Sequence, residues 1–393
     1  MATITSVSLF KHPKIGDLTI EFGGAKHLIL TGPNGSGKST ALLALANELQ
    51  NHNRYSLRRQ IERISAALTH GNLQDGRIAH KFVQEQVALD SRLATERGGE
   101  LLNGTSPLAK IELGLAAHLG AARGLNARRT SRPPSPPEKK QWEVRATASG
   151  EFYEWLKHQY LQALLAQADD RDDEARSLRA WLKSFEDLLS AAWNCPLTLS
   201  FDRSTYELRF SDHDGATYWI EDLADGHASI LAMVGEILMR LDAQEWKASP
   251  GEVGGVVLID EPETHLHPEL EERILPFLTG TFPGVQFIVA THSPIVVASI
   301  PDAMVFDLRS REGTLSSAFA GKKYGELMMS HFGIETDFDL ATTRKLHELK
   351  DLALRPGGRR EPRYKALVDE LKTVENPVVM SELLRSLSAA DEA

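Results

Sequence analysis

A glycine-rich segment that begins at Gly32 constrains the fold of this chain more than any other feature. It reads GPNGSGKST and matches the pattern G-x-x-x-x-G-K-[ST]. A short apolar strand pattern at residues 27–30 precedes it, and a helical pattern at residues 41–49 follows it. In such a unit the backbone N–H groups curl around a phosphate, and the helix turns its positive end toward it. The sequence therefore predicts an α/β fold with a phosphate site at this loop.

The residues of this loop have distinct expected roles. Gly35 and Gly37 are needed because a side chain would block the close approach of a phosphate. Lys38 is expected to reach the β- and γ-phosphates of a nucleotide and to act in catalysis, and the Ser39 hydroxyl is expected to bind Mg²⁺. The expected nucleotide-binding set is Asn34, Gly35, Ser36, Gly37, Lys38, Ser39 and Thr40.

Two acids follow a continuous apolar run at residues 256–259. Such a run is typical of a buried parallel strand, and ligands bind beyond the carboxyl ends of the strands in open α/β sheets. Asp260 is expected to hold Mg²⁺, directly or through water. Glu261 is expected to orient and deprotonate the attacking water. The alternative is a pair of acids that only caps the next helix.

A histidine stands just beyond the next apolar run, residues 286–290, in the segment ATHSP. His292 is expected to hydrogen-bond the γ-phosphate and to take part in catalysis. The alternative is an ordinary turn histidine.

The three segments GPNGSGKST, DEPETHLHP and ATHSP together resemble the ABC-type ATPases of the RecF, OLD and SMC-like group. Within it, the chain resembles the ATPase subunits of bacterial anti-phage systems such as Septu, PARIS and retron modules. The resemblance covers residue 4 to about residue 307. It implies a P-loop NTPase fold, an ABC-ATPase head with a mixed sheet, a helical insertion and a short helical tail. It also implies a head-to-tail dimer with two ATP molecules, in which the partner's signature motif completes each site.

The best match to that signature, L-S-G-G-Q, is LADGH at residues 223–227. Leu223 and Gly226 match, and Gly226 is expected to contact ATP in trans. Ala224 replaces the serine whose hydroxyl contacts the γ-phosphate in the family. A lost charge-assisted hydrogen bond is worth roughly 1.5–3 kcal/mol, so the resemblance implies a weak dimer or slow turnover. An ordinary capped helix start is the alternative.

The pattern of elements predicts four segments. Residues 1–53 form the first part of the ATPase core, and residues 54–195 form a mostly helical insertion with a proline- and arginine-rich mobile loop at 123–140. Residues 196–340 complete the core, and residues 341–393 form a helical tail. The glutamine loop of the family has only weak candidates (Gln84, Gln86 and Gln141).

Composition limits the partners. The net charge of −10 means that nucleic acid could bind only through local basic patches, at 54–63, 123–140 or 355–363, and each of these could equally be a solvated face. The lone cysteine gives no disulfide frame and fits a reducing cytoplasm. No apolar run is long enough to span a membrane.

These features favour an ATP-hydrolysing dimeric switch that controls a separate effector, a nuclease or toxin, in anti-phage defence. The tail is too short for the metal-binding nuclease domain that OLD proteins append. Two alternatives stay open: a RecF-like DNA-repair ATPase, and a weakly hydrolysing scaffold that ATP locks around a stored partner.

Overall fold

A computed structural model describes residues 4–12, 14–50, 115–121, 132–135, 144–145, 147–242, 254–319, 321, 340–355, 357–374 and 379–381. The chain divides into two compact units, Met1–Gly321 and Lys322–Ala393. No helix in these ranges is long and apolar enough to cross a membrane.

The first unit contains both strands and helices. Its strands are β1 (Ser6–His12), β2 (Gly16–Glu21), β3 (His27–Thr31), β4 (Leu115–Leu119), β5 (Thr198–Asp202), β6 (Glu207–Ser211), β7 (Thr217–Tyr218), β8 (Gly255–Asp260), β9 (Val285–Ala290), β10 (Ala303–Asp307) and β11 (Glu312–Leu315). Its helices are α1 (residues 38–50), α2 (Ser149–Ala168), α3 (Asp172–Trp193), α4 (Asp225–Asp242), α5 (Pro268–Thr281) and α6 (Pro294–Ala298).

A six-stranded mixed sheet forms the centre of this unit, in the order β11–β10–β3–β9–β8–β4. Its pairs are parallel except for β10 and β11, which are antiparallel. Every residue of β3, β8 and β9 is buried. This burial on both faces explains their continuous apolar sequences. The carboxyl ends of parallel strands meet at one edge, so the loops after β3, β8 and β9 lie side by side.

Part of the range 54–195, which the sequence predicts to be mostly helical, is a strand instead. Leu115–Leu119 is a strand that pairs in parallel with β8, from Leu115 opposite Gly255 to Leu119 opposite Ile259. The core sheet therefore takes a strand from the range 54–195. The sequence LAAHL has no β-branched residue, and leucine and alanine favour helices, so its strand conformation comes from pairing at the sheet edge. Residues 54–114 and most of the predicted loop at 123–140 lie outside the described residues.

Helices α2 and α3 form an antiparallel hairpin beside the three-stranded antiparallel sheet β5–β6–β7. We call these five elements the arm. An aromatic cluster joins the two helices, with Phe152, Trp155, Trp181 and Phe185 in successive ring contacts. At the other side of α2, the Tyr153 hydroxyl donates to Glu207 of β6 at 2.8 Å. The arm is thus tied together by both apolar and polar contacts.

A buried ion pair on α4 connects the arm to the main sheet. Arg240 Nε donates to Glu236 Oε1 at 2.8 Å, and Arg240 Nη1 donates to the carbonyl of Ala116 in β4 at 2.9 Å. The other oxygen of Glu236 accepts from the N–H groups of Ala148 and Ser149 at the start of α2. These contacts satisfy both buried charges and two of the N–H groups that a helix start leaves open.

The second unit contains α7 (Leu340–Leu354), a short 3₁₀ turn (Gly358–Arg360) and α8 (Pro362–Lys372). Its buried apolar side chains form one cluster (Leu346, Leu349, Leu352, Tyr364, Leu367, Leu371 and Val379). Arg363 bridges Glu348 of α7 and Glu370 of α8. At least this member of the basic stretch at 355–363 forms ion pairs within the unit.

Candidate active site

The glycine loop lies between β3 and α1, and its backbone explains the choice of glycine. Gly32, Gly35 and Gly37 have φ of +133°, +82° and +100°, which side-chain-bearing residues rarely adopt. A Cβ on Gly37 would lie 3.3 Å from a side-chain carbon of Ile15. The hairpin of β1 and β2 therefore closes over one side of this loop.

Lys38 is buried and folds back over its own loop. Its Nζ donates to the carbonyl of Gly32 at 2.9 Å and to that of Pro33 at 3.2 Å. The neighbouring Ser36 hydroxyl is buried and has no hydrogen-bond partner among the described residues. An ammonium group, an unsatisfied hydroxyl and the start of a helix thus share one concave segment, and this donor set fits a nucleotide's phosphates.

Ser39 and Asp260 lie together although they come from different strand ends. The Ser39 hydroxyl donates to Asp260 Oδ1 at 3.0 Å. Hydroxyl and carboxylate oxygens are ligands that Mg²⁺ accepts, and the ion normally keeps several waters beside one or two protein ligands. The pair therefore fits the Mg²⁺ that accompanies a bound nucleotide.

Glu261 and His292 meet at the ends of β8 and β9. Glu261 has a φ of +47°, and its N–H donates to the carbonyl of Ala290 at 2.8 Å. This turn brings its Oε1 to 3.4 Å from Nδ1 of His292. The His292 side chain is half exposed. The expected base and the expected phosphate contact are thus neighbours.

A third acid belongs to the same cluster and is missing from the sequence-based prediction. Glu263 is buried, and its Oε1 accepts from the Thr291 hydroxyl at 2.6 Å and from the His292 N–H at 3.1 Å. Burial raises the pKa of Glu263 above its ordinary value, and the hydrogen bonds from Thr291 and His292 oppose that rise. The only sequence signal is an acid three residues after Asp260, which does not reveal that its side chain turns inward.

The proposed signature segment begins helix α4. A 3₁₀ turn (Ile220–Asp222) leads into it, Ala224 is exposed, and the helix starts at Asp225. A Cβ on Gly226 would lie only 2.9 Å from the carbonyl oxygen of His265, in the loop after β8. This glycine is therefore required for packing within the chain, in addition to its predicted contact in trans.

The end of α3 contacts both the signature helix and α5. The ring of Trp193 lies 4.6 Å from that of His227, and desolvation lowers the pKa of His227. The next residue, Asn194, donates to Glu269 Oε1 at 3.1 Å and accepts from Arg273 at 2.7 Å. Two consecutive residues of the arm thus touch two elements that flank the site.

The remaining residues of the sequence-based prediction fall partly inside and partly outside the described residues. The glutamine-loop candidates and the basic stretch at 54–63 lie outside the described residues. Asn34 and Thr40 lie in the loop and in α1, where the sequence predicts them to bind nucleotide.

A family profile with the description "AAA domain, putative AbiEii toxin, Type IV TA system" matches residues 28–298 of the chain. The chain belongs to this family. The match extends from β3 to the end of α6, so it includes the glycine loop, both acids and His292. Together with the mixed sheet, it confirms the predicted P-loop NTPase fold of this AAA-domain chain.

Relatives of this AAA-domain chain confirm the resemblance to Septu and retron ATPases. It is 32% identical to a Septu protein PtuA of Bacillus mycoides over 169 residues, 40% of this chain and 23% of the relative. It is 32% identical to the retron Ec83 probable ATPase of Escherichia coli over 149 residues, 36% of this chain and 27% of the relative. These matches span about a quarter of each relative. A Septu protein PtuA of Bacillus thuringiensis is 22% identical over 72% of this chain and 70% of its own length.

Solved structures similar to this chain include ATPase heads. The SMC head domain from Thermotoga maritima matches with 17% identity and a TM-score of 0.24, over 32% of this chain and 41% of that one. A putative cobalt transport ATP-binding protein matches with 15% identity and a TM-score of 0.30, over 79% and 78% of the two chains.

Proposed function

We propose that this chain binds ATP with Mg²⁺ and hydrolyses it at the carboxyl edge of the main sheet. The proposal is supported chiefly by two pairs of residues that lie together at the carboxyl edge of the main sheet. Ser39 contacts Asp260 at 3.0 Å, and Glu261 lies 3.4 Å from His292, beside the glycine loop. Membership of a P-loop family supports nucleotide as the ligand.

Each residue then has a defined task. Lys38 and the N–H groups of the loop bind the phosphates, while Ser39 and Asp260 hold Mg²⁺, which neutralises developing phosphate charge when bound. Glu261 orients water and accepts its proton, and His292 donates a hydrogen bond to the γ-phosphate. Phosphoryl transfer depends mostly on such positioning and charge stabilisation, so no covalent protein intermediate is needed.

We further propose that two copies close head to tail on ATP, with the α4 start near Gly226 completing the partner's site. The N–H groups at this helix start suit a phosphate. Ala224 is exposed at that start and carries no hydroxyl. This substitution supports a second candidate, a slowly hydrolysing scaffold that ATP holds closed around a stored partner protein.

The cellular role that we propose is control of a separate effector, a nuclease or toxin, in bacterial anti-phage defence in the cytoplasm. The similarity to a Septu protein and to a retron ATPase supports this role. In such a switch, ATP binding and hydrolysis shift the population between a closed and an open dimer.

The substitution Glu261→Gln tests the hydrolytic assignment. It removes the base but keeps the shape, so turnover is expected to fall by about 100-fold or more while ATP binding persists. The matched control is Glu272→Gln, an exposed acid on α5, which is expected to keep wild-type turnover. Unchanged turnover in Glu261→Gln would refute the site and favour the scaffold.

The effector role requires a different measurement. Tagged wild type and Lys38→Ala are purified from their native operon with ATP or ADP, and bound proteins are identified. A nuclease or toxin bound to wild type in a nucleotide-dependent way supports the switch. Stimulation of turnover by plain duplex DNA, with no bound protein, would instead favour a repair ATPase.

A further inference from the structure

Glu263 is the most deeply placed acid of the cluster around His292. Its side chain is 7% exposed, whereas that of Glu261 is 30% exposed. Glu263 Oε1 accepts two hydrogen bonds, and Oε2 is buried without a hydrogen-bond partner among the described residues. Burying a carboxylate with so few partners is costly, as its raised pKa reflects.

The two donors to Glu263 do not by themselves require a carboxylate. The Thr291 hydroxyl and the backbone N–H of His292 both donate to the same oxygen, Oε1. An amide oxygen of glutamine could accept both bonds. These two hydrogen bonds therefore leave the negative charge unexplained, and the imidazole of His292 lies beside it, with Nδ1 3.5 Å from Oε1.

His292 presents the same ring nitrogen to two carboxylates. Its Nδ1 lies 3.5 Å from Glu263 Oε1 and 3.4 Å from Glu261 Oε1. Two carboxylate oxygens this close to Nδ1 electrostatically favour the tautomer in which this nitrogen carries the proton, which leaves Nε2 for other contacts. Because Glu263 is anchored by Thr291 while Glu261 is more exposed, Glu263 is the fixed member of the pair.

We propose that Glu263 is a positioning residue that holds His292 in its Nδ1–H tautomer and orientation, so that Nε2 faces the reacting phosphate. The proposal rests on the hydrolysis proposed above. A buried carboxylate that fixes an imidazole tautomer is a general device, and loss of its charge alone can greatly reduce turnover.

Two variants begin to separate this role from a structural one. Glu263→Gln keeps an acceptor for Thr291 and removes the charge, and we expect a fall in kcat of at least about tenfold with KM for ATP changed by less than about threefold. Glu271→Gln is the matched control, because Glu271 also accepts from a hydroxyl of the same loop, that of Ser293 at 2.7 Å. It is expected to keep kcat within about twofold of wild type.

The decisive measurement is a double-mutant cycle with His292→Ala. If Glu263 acts through His292, Glu263→Gln causes no further loss of turnover once the imidazole is gone. The proposal is overturned if Glu263→Gln lowers kcat by the same factor in wild type and in His292→Ala. It is also overturned if Glu263→Gln alone leaves kcat unchanged.

A readout independent of turnover is the ¹⁵N spectrum of histidine-labelled protein, with the His292 signals assigned by their absence in His292→Ala. Wild type is expected to show the Nδ1–H tautomer, and Glu263→Gln is expected to shift the population toward Nε2–H. An identical tautomer in both proteins overturns the positioning role even if hydrolysis is confirmed. Absence of turnover in wild type would refute the proposed function, while the spectrum still tests whether Glu263 selects the tautomer.

Discussion

The hydroxyl of Ser39 donates a hydrogen bond to the carboxylate of Asp260 across 3.0 Å, although 221 residues separate the two in the chain. Strand β9 lies between β3, which leads into the glycine loop before Ser39, and β8, which ends at Asp260. The contact therefore depends on the order of the sheet, and it brings together the oxygens that suit a divalent cation.

Replacement of Asp260 by asparagine tests this contact. The amide oxygen can still accept from Ser39, but the negative charge is lost, so the affinity for ATP with Mg²⁺ should fall by about tenfold or more. Affinity for ATP in a chelator should change little. Asp302→Asn is the control, since Asp302 accepts from the N–H of Lys26 at the opposite edge of the sheet. Equal losses with and without Mg²⁺ would contradict the assignment of Asp260.

Restoring a hydroxyl at position 224 tests the signature. Ala224→Ser adds a donor worth roughly 1.5–3 kcal/mol if it reaches a phosphate of the partner's nucleotide. We expect at least about tenfold tighter ATP-dependent dimerisation or a comparable gain in turnover. Ala228→Ser, one turn further along α4, should have neither effect. If Ala224→Ser behaves like this control, the signature is misplaced or its hydroxyl is unimportant.

A methyl group at Gly226 tests packing within the chain. In Gly226→Ala the new Cβ would meet the carbonyl of His265 at 2.9 Å, so the loop after β8 must move. We expect a loss of about 1–3 kcal/mol in the free energy of unfolding, measured by denaturant titration. Gly280→Ala in α5 meets nothing within 4 Å and should be neutral or stabilising by up to about 1 kcal/mol. Equal stability of the two variants would show that the close contact is not rigid.

The titration of the buried His27 side chain is expected to make the stability of the fold depend on pH. Desolvation, followed by the charge of Lys26, lowers the pKa of His27 from 6.5 to about 4. Its Nδ1 accepts from the Phe287 N–H at 3.0 Å, which requires this nitrogen to lack a proton. The unfolded chain therefore takes up a proton near pH 6.5 and the folded chain only near pH 4. The contribution of neutral His27 to the free energy of unfolding is therefore fully present above pH 6.5. It is lost as the pH falls to about 4, which lowers the free energy of unfolding by about 3 kcal/mol.

The variant His27→Asn isolates this effect. Its amide oxygen accepts from Phe287 without titrating, so the slope of unfolding free energy against pH should decrease between pH 4 and 6.5. His27→Phe also cannot titrate but leaves the Phe287 N–H unbonded, so it should be less stable than His27→Asn at every pH. A wild-type slope in His27→Asn would show that other groups cause the acid sensitivity.

The sequence predicts those parts of the site whose chemistry is local. The glycine loop, the two acids after residues 256–259 and His292 each follow an apolar strand, so the parallel sheet necessarily brings them to one edge. Strand β4 could not be predicted, because its leucines and alanines favour helix and only its pairing with β8 makes it a strand. Glu263 could not be predicted either, since its burial depends on Thr291, which lies 28 residues away.

Trp193 and Asn194 have a mechanical consequence. They are consecutive, and one packs on His227 while the other bonds to Arg273, so a rotation of the end of α3 displaces α4 and α5 together. A displacement at this end of the arm would therefore reach the start of the proposed signature helix and the helix that follows the loop after β8 at the same time.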